Sequence, residues 1–344
     1  MIELMKGIIS VGVNDPKRKL FDELIPLPDG TSYNSYLIKG SEKNVLIDTV
    51  DPAKKDILLE NLKEVEKIDY IVAHHAEQDH SGSIPDVLLK YPQARVICSE
   101  KCRGMLIDLL HISEDRIIVV HDKDEISLGD KTLQFISTPW VHWPETIVTY
   151  VKEDKILFSC DFFGSHYGTD DLAIKDKEVI YESAKRYYAE IMMPFRQAIK
   201  KNIRKVRQLD IELIAPSHGP TYNEPEFILD AYEDWVSDDV KNEVVLAYVS
   251  MHGSTKVMAD YLRKSLEDKG ITVKYFNLIG ADIGELAIAL VDAATIVVGS
   301  PTVLIGAHPS VIHAVALVNA LKPKTRFLSI FGSYGWGGKM VDQL

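Results

Sequence analysis

Five of the seven side chains in HHAEQDH, residues 74–80, can bind a metal ion: His74, His75, Glu77, Asp79 and His80. Imidazole and carboxylate suit both iron and zinc, so ligand count and charge must choose between them. His75 and Glu77 stand two apart, as do Glu77 and Asp79, with His80 adjacent. That spacing does not line one face of a helix; it suits a loop curling around two ions. Three further ligands, His142, Asp161 and His218, follow the short apolar runs LQFISTPW, ILFSC and LIAPS. Seven ligands are enough for two ions. A natural partition puts His75, Glu77 and His142 on one and Asp79, His80 and His218 on the other, with Asp161 bridging. Each ion then holds two imidazoles and one carboxylate, the composition of the facial triad of non-heme iron. Three carboxylates offset three of the four charges of two ferrous ions. A hydroxide bridge offsets the fourth, which makes the site tolerable to bury.

Ligands so far apart in the chain meet only if strand ends deliver them to one rim of a sheet. The pattern supplies such strands. SYNSYLIKG and NVLIDTV read as a hairpin, KDILLENLKEVEKI as a helix, and YIVAHH as a strand running into the cluster. RVICSE, RIIVVH, LQFISTPW, ILFSCDFFG and ELIAPSHG are further short strands. The polar stretch VSDDVKNE, 236–243, marks a domain boundary, giving domains 1–240 and 241–344. After it, VVLAYVS, ITVKYFNL, ATIVVGSP and RFLSIFGS are strands alternating with helical segments such as KVMADYLRKSLEDKG, closed by Gly270. Such alternation indicates a doubly wound parallel sheet. The fold class is therefore α/β throughout.

The chain of 344 residues has 46% apolar and 26% charged residues and a formal charge of −12. That charge disfavours nucleic acid and anionic membrane surfaces. No apolar run approaches the roughly 20 residues of a membrane span, and MIELMKGIIS lacks the marks of a signal peptide. Cys98, Cys102 and Cys160 are too few for a disulfide framework, so a soluble protein of the reducing cytoplasm is expected. Strand alternation turns Cys160 to the face opposite Asp161.

Three loops in the second part follow buried strands. In SMHGST, Ser250, Met251, His252, Gly253, Ser254 and Thr255 combine hydroxyls, backbone N–H groups and a helix N-terminus into a pocket for one phosphate, hence FMN. In GSPTVLIGAHP, the candidates are Ser300, Pro301, Thr302, Val303, Leu304 and Gly306. In GSYGWGG they are Ser333, Tyr334, Gly335, Trp336 and Gly337, whose aromatic rings suit an isoalloxazine.

With these residues in place, the first part resembles the metallo-β-lactamase fold. Glu77 in the second ligand position is similar to the flavodiiron proteins (A-type flavoproteins), and the second part resembles flavodoxin. The resemblance implies a metallo-β-lactamase-like αββα sandwich followed by a flavodoxin-like sheet. It implies two irons on His75, Glu77, Asp79, His80, His142, Asp161 and His218, and FMN on the three loops. His252 departs from the aromatic residue or Thr more usual there. A flavodoxin unit also continues with a fifth strand and a last helix, so the second domain is expected to lack them and leave an open sheet edge. Only the resemblance places His166 and Tyr188 near the irons. His74 is read as structural or as lying behind the ligands, and Asp48 as orienting the site or capping a turn.

The implied reaction is reduction of O2 to water by four electrons and four protons, or of two NO to N2O by two of each. Two ferrous ions and a reduced flavin hold those electrons. The implied partners are an external donor, a rubredoxin-like protein or reduced deazaflavin coenzyme, and a second copy in a head-to-tail homodimer. Two other readings stay open: a dinuclear zinc hydrolase of the same fold, and a non-enzymatic electron carrier with a vestigial metal site.

Overall fold

A computed structural model describes residues 2–21 and 23–344. Contacts divide the chain into two compact units: Met1–Lys19, Leu27–Tyr187 and Phe195–Glu233 in the first, and Leu20–Pro26, Tyr188–Pro194 and Asp234–Leu344 in the second. The polar stretch 236–243 predicts a single boundary at 240. In the structure the division falls at 233, and two short inner segments join the second unit. Burial decides membership there rather than chain order: the Tyr188 ring packs 5.4 Å from that of Trp235.

The first unit is built on two sheets. One has seven strands in the order Ile2–Met5, Ile8–Ser10, Tyr36–Lys39, Asn44–Ile47, Tyr70–Val72, Arg95–Ser99 and Ile117–Val120. The other has five, in the order Glu125–Ser127, Thr132–Ser137, Ile147–Val151, Ile156–Cys160 and Leu213–Pro216. Alternation sorts each strand's side chains. Ile38, Val45, Ile47, Val72 and Ile97 of the larger sheet share a core with Phe135, Val151, Ile156 and Phe158 of the smaller. Leu37, Leu46, Ile71 and Val96 point the other way, onto helical residues Leu58, Ile84, Val87 and Leu106. Helices Lys177–Tyr187 and Arg196–Val206 also belong to this unit and bury Ile180, Ala184, Ile199 and Ile203. The αββα sandwich follows from these two faces per sheet. The helix expected across KDILLENLKEVEKI is shorter, Lys55–Asn61; Asn61 turns its amide to Val11 O and Gly12 O at 2.9 and 3.2 Å.

The second unit carries a parallel sheet in the order Thr272–Asn277, Lys241–Tyr248, Ala293–Val303 and Phe327–Ser333. Gly306–Ala307 folds back antiparallel on the end of Ala293–Val303. The strand order reverses between Lys241–Tyr248 and Ala293–Val303, so the crevice beyond their carboxyl ends is where such a sheet binds ligands. Phe327–Ser333 lies at the edge, with Phe327 and Leu328 each 64% exposed. Among the described residues, no helix is long and apolar enough to cross a membrane.

Candidate metal centre and flavin loops

All seven sequence-derived ligands sit beyond carboxyl ends of strands in the first unit. His75 and Glu77 follow Tyr70–Val72, His142 follows Thr132–Ser137, Asp161 follows Ile156–Cys160, and His218 follows Leu213–Pro216. The last two strands pair in parallel, which places Asp161 and His218 at one rim. The cluster itself is not all loop, as its spacing suggested. Glu77 stands at the N-cap of a helical turn, Gln78–Ser81, that carries Asp79 and His80. His142 lies in a loop held to the cluster by the Ile147 amide, which donates to His74 O at 3.0 Å.

The ligand atoms fall into two groups. His75, Glu77, His142 and Asp161 form one, and Asp79, His80 and His218 another. His75 Nε2 is 3.2 Å from Glu77 Oε2 and 3.2 Å from Asp161 Oδ2; His142 Nε2 is 2.9 and 3.2 Å from the same two oxygens. The other carboxylate oxygen, Asp161 Oδ1, faces His80 Nε2 at 3.0 Å and His218 Nε2 at 3.4 Å. Asp79 Oδ2 closes that group at 3.2 Å from both imidazoles. Asp161 therefore gives one oxygen to each group.

These separations fit cations. Two ligand atoms about 2.1 Å from one ion and at right angles lie about 3.0 Å apart. Both oxygens of Asp79, both ring nitrogens of His80 and Oδ1 of Asp161 are buried without a well-formed hydrogen bond. Such atoms are costly unless something satisfies them, and a metal ion does. The His218 ring is already oriented for it: Nδ1 is 2.6 Å from the Ser32 carbonyl. A carbonyl only accepts, so Nδ1 carries the proton and Nε2 keeps its lone pair.

Without a cation the same groups pair with each other. Burial disfavours a charged His80, but the Asp79 and Asp161 carboxylates outweigh it and push its pKa up to about 9. At His142, burial is likewise overcome by Asp161 and Glu77, again to about 9. Burial raises Glu77, but His142 and His75 hold it well below the usual carboxylate range.

A layer of hydrogen bonds fixes the rim from behind. His74 is fully buried; its Nδ1 meets Asp48 Oδ2 at 2.6 Å and its Nε2 meets Thr149 Oγ1 at 2.8 Å. Asn34 donates to Pro216 O and Gly219 O at 2.9 and 2.7 Å, clamping the turn that bears His218. Glu145 Oε1 accepts from the Ala76 amide at 3.1 Å, joining the His142 loop to the cluster. Asn34, Ser32 and Glu145 are not among the residues that the sequence singles out. A run of polar residues in a buried strand, TSYNS, was the one available signal. His166 lies beside the site, Nδ1 2.9 Å from Thr31 Oγ1 and its ring 5.0 Å from that of His218. Burial, reinforced by His218, holds its pKa well below the usual imidazole value. The neighbouring tyrosine is Tyr187, not Tyr188: its ring is 4.8 Å from His166 and 5.8 Å from His218. Tyr188 begins a π-helical turn and sends its hydroxyl to Trp235 O at 3.3 Å. Cys160 also departs from expectation, lying with Sγ 3.2 Å from His75 Nδ1. Burial pushes its thiol pKa well up, so it stays protonated.

In the second unit, a pocket of about 280 Å³ is lined by Ser250, Met251, His252, Ser254, Thr255, Pro301, Thr302, Ser333, Tyr334 and Gly335. Gly253, at φ 91, turns the chain into helix Ser254–Glu267, whose N-terminal N–H groups suit a phosphate. Thr255 Oγ1 and Ser333 Oγ, 2.9 Å apart, tie the first and third loops together. Ser300 is buried instead of lining the pocket; its hydroxyl accepts from the His308 amide at 3.0 Å and donates to Pro301 O at 2.9 Å. Val303, Leu304, Gly306, Trp336 and Gly337 lie outside the lining, with Leu304 92% and Trp336 73% exposed.

The two-sheet unit with its ligand rim defines a β-lactamase-fold protein, and the family described as ODP family beta lactamase matches residues 31–219. A nitric oxide reductase of Moorella thermoacetica is 36% identical over 98% of this chain and 86% of its own. Two solved structures superpose on nearly the whole chain. Rubredoxin oxygen:oxidoreductase from Desulfovibrio gigas has a TM-score of 0.95 at 29% identity, covering 99% of this chain and 87% of that one. The flavodiiron protein from Giardia intestinalis has a TM-score of 0.91 at 29% identity, covering 99% and 85%. The chain belongs to the flavodiiron proteins. It is thus an oxidoreductase with a diiron centre and a flavin.

Proposed function

We propose that the chain reduces O2 to water or NO to N2O at irons held by His75, Glu77, Asp79, His80, His142, Asp161 and His218. In this reading 1–240 is the diiron domain and 241–344 the FMN-binding domain, working in the cytoplasm. The observation that carries it is Asp161, whose two oxygens face two separate groups of imidazoles at 3.0–3.4 Å. Irons held by these residues would supply electrons to a bound diatomic, and FMN held by the loops of the second unit would supply the electrons that replace them.

The chain's own residues govern access and protons. Glu77 and His142 are the most exposed of the seven ligands, with side chains 15% and 14% accessible, so a small molecule enters beside them. Trp143 stands edge-on to His75 at 5.9 Å, and Phe195, stacked on Trp140, lies 6.5 Å from His142. These rings place apolar surface beside His75 and His142. At the His218 end, burial and nearby carboxylates hold the Tyr187 pKa well above that of a free phenol, so its hydroxyl keeps its proton.

An electron donor is required from outside, a rubredoxin-like protein or a reduced deazaflavin coenzyme. The name of the Desulfovibrio gigas protein supports the first. We assign a head-to-tail homodimer, in which the flavin of one copy serves the irons of the other. The test is iron, zinc and flavin counted per chain after anaerobic purification, followed by O2 and NO consumption with chemically reduced rubredoxin. About two irons and one FMN with turnover of either gas supports the reading. Two zincs and no flavin overturns it in favour of the hydrolase.

A further inference from the structure

Strict alternation along Ile156–Cys160 turns Cys160 away from the ligand rim. The strand does not alternate there. Its pairing steps from Phe158↔Ala215 to Cys160↔Pro216, which leaves Ser159 as an extra residue, and Cys160 has φ 54. A bulge of this kind re-aims the side chains that follow it. Two consecutive residues therefore face one centre: Asp161 toward the ligand atoms, and Cys160 with its sulfur 3.2 Å from His75 Nδ1. The Cys160 side chain is 1% exposed.

We propose that Cys160 is a positioning residue for His75: its sulfur accepts the Nδ1–H hydrogen bond and sets how strongly Nε2 donates to its iron. The inference rests on the diiron reading above. Nε2 of His75 faces Glu77 and Asp161 oxygens, both at 3.2 Å. An ion there takes the Nε2 lone pair, which leaves the ring proton on Nδ1. The acceptor that proton meets is Cys160 Sγ. Sulfur is a weak acceptor, so His75 is a weaker donor than an imidazole bonded to a carbonyl or carboxylate. The contrast is built into the site, because His218 Nδ1 is bonded to a carbonyl at 2.6 Å. A weaker donor favours the ferrous over the ferric state, so the sulfur raises the reduction potential on the His75, Glu77 and His142 side.

The test compares Cys160→Ser, which supplies a stronger acceptor, with Cys160→Ala, which supplies none. Full chains are loaded with iron anaerobically and titrated redox-wise, following the mixed-valence EPR signal, with iron and FMN counted in each sample. The expected order of potentials is Ala highest, wild type between, and Ser lowest. A merely structural role moves both variants the same way or neither, and either result with iron retained overturns the inference. A wild-type chain that binds no iron overturns the diiron reading instead. Should a variant not fold, the wild type still decides. In its cobalt-substituted form, labelled with 15N-histidine, the shifted His75 Nδ1–H signal is expected to exchange slowly. A His75 Nδ1 that carries no proton, or loses it as fast as an exposed imidazole, overturns the inference.

Discussion

The Asp48 carboxylate holds His74 at two points. Oδ2 meets the imidazole Nδ1 at 2.6 Å, and Oδ1 accepts the His74 backbone N–H at 2.9 Å. Ser217, beside the ligand His218, adds its hydroxyl to Asp48 Oδ2 at 3.4 Å. One buried side chain thus ties the start of the 74–80 cluster to the turn that bears His218. Each hydrogen bond to a buried carboxylate contributes about 1.5–3 kcal/mol. Asp48→Ala is expected to lower stability by about 3 kcal/mol or more in urea denaturation and to weaken iron retention as well. A loss under about 1 kcal/mol with iron unchanged shows that the pair holds nothing in place.

Asp161 is the residue on which both groups of candidate ligand atoms converge, one oxygen to each. Asp161→Asn keeps the shape but removes the negative charge and one oxygen ligand. Iron content is expected to fall from about two per chain to one or fewer, while flavin content stays near one, because the flavin loops belong to the second unit. Elemental analysis and the flavin absorbance of the same sample check this. Retention of both irons rules out the bridging role.

How much of this was legible in the sequence follows from the range of the interactions involved. The candidates His75, His142, Asp161 and His218 are legible because each follows a short apolar strand, and strand ends meet at rims; Glu77, Asp79 and His80 are legible only as neighbours of His75 in one local cluster. The parallel, doubly wound character of the second sheet follows from strand–helix alternation, which is local; the order of its strands does not. Cys160 could not be read: its orientation depends on a bulge at Ser159, set by pairing with Leu213–Pro216, a strand more than fifty residues away. Tyr187 and Tyr188 are indistinguishable in RYYAEI, and only the end of helix Lys177–Tyr187 and the π turn after it decide which ring faces His218. The polar strand partners Ser32 and Asn34 serve a turn remote in sequence, at Pro216 to Gly219. The segment Tyr188–Pro194 joins the second unit for a similar reason, since nothing local marks it off.

The metal-free protein should lose stability as pH rises. His80 and His142, each near 9 in the folded chain, have an ordinary value of about 6.5 when unfolded. Raised folded values mean stabilisation that is complete below about pH 6.5 and lost as pH passes through about 9. Each pH unit in that window contributes about 1.4 kcal/mol per group when the groups act independently. Glu77 works in the opposite sense: its lowered pKa gives stabilisation that is present above its ordinary carboxylate value and lost in acid. Chelator-stripped protein is therefore expected to unfold at several-fold lower urea stability, by a few kcal/mol, at pH 9.5 than at pH 6.5. Iron-loaded protein should show much less of this slope, because iron-bound imidazoles carry no titrating proton there. Equal slopes with and without iron would show that these imidazoles are not the ligands.

Charge at the first flavin loop gives the last expectation. Ser254 is exposed and opens helix Ser254–Glu267, directly after Gly253. An acidic residue in the first turn favours the helix by about 0.3–1 kcal/mol through its dipole, so Ser254→Asp does not weaken the fold. The same negative charge repels a phosphate bound at that N-terminus, beside Thr255, Thr302 and Ser333 in the pocket wall. Flavin affinity is expected to fall about 10-fold or more, with thermal stability of the flavin-free chain unchanged or slightly raised and iron content untouched. Fluorescence titration of the flavin-free variant with FMN and with riboflavin separates the causes. A loss confined to FMN places the phosphate at this helix end. Equal losses for both place the defect in the ring site, and no loss moves the phosphate elsewhere.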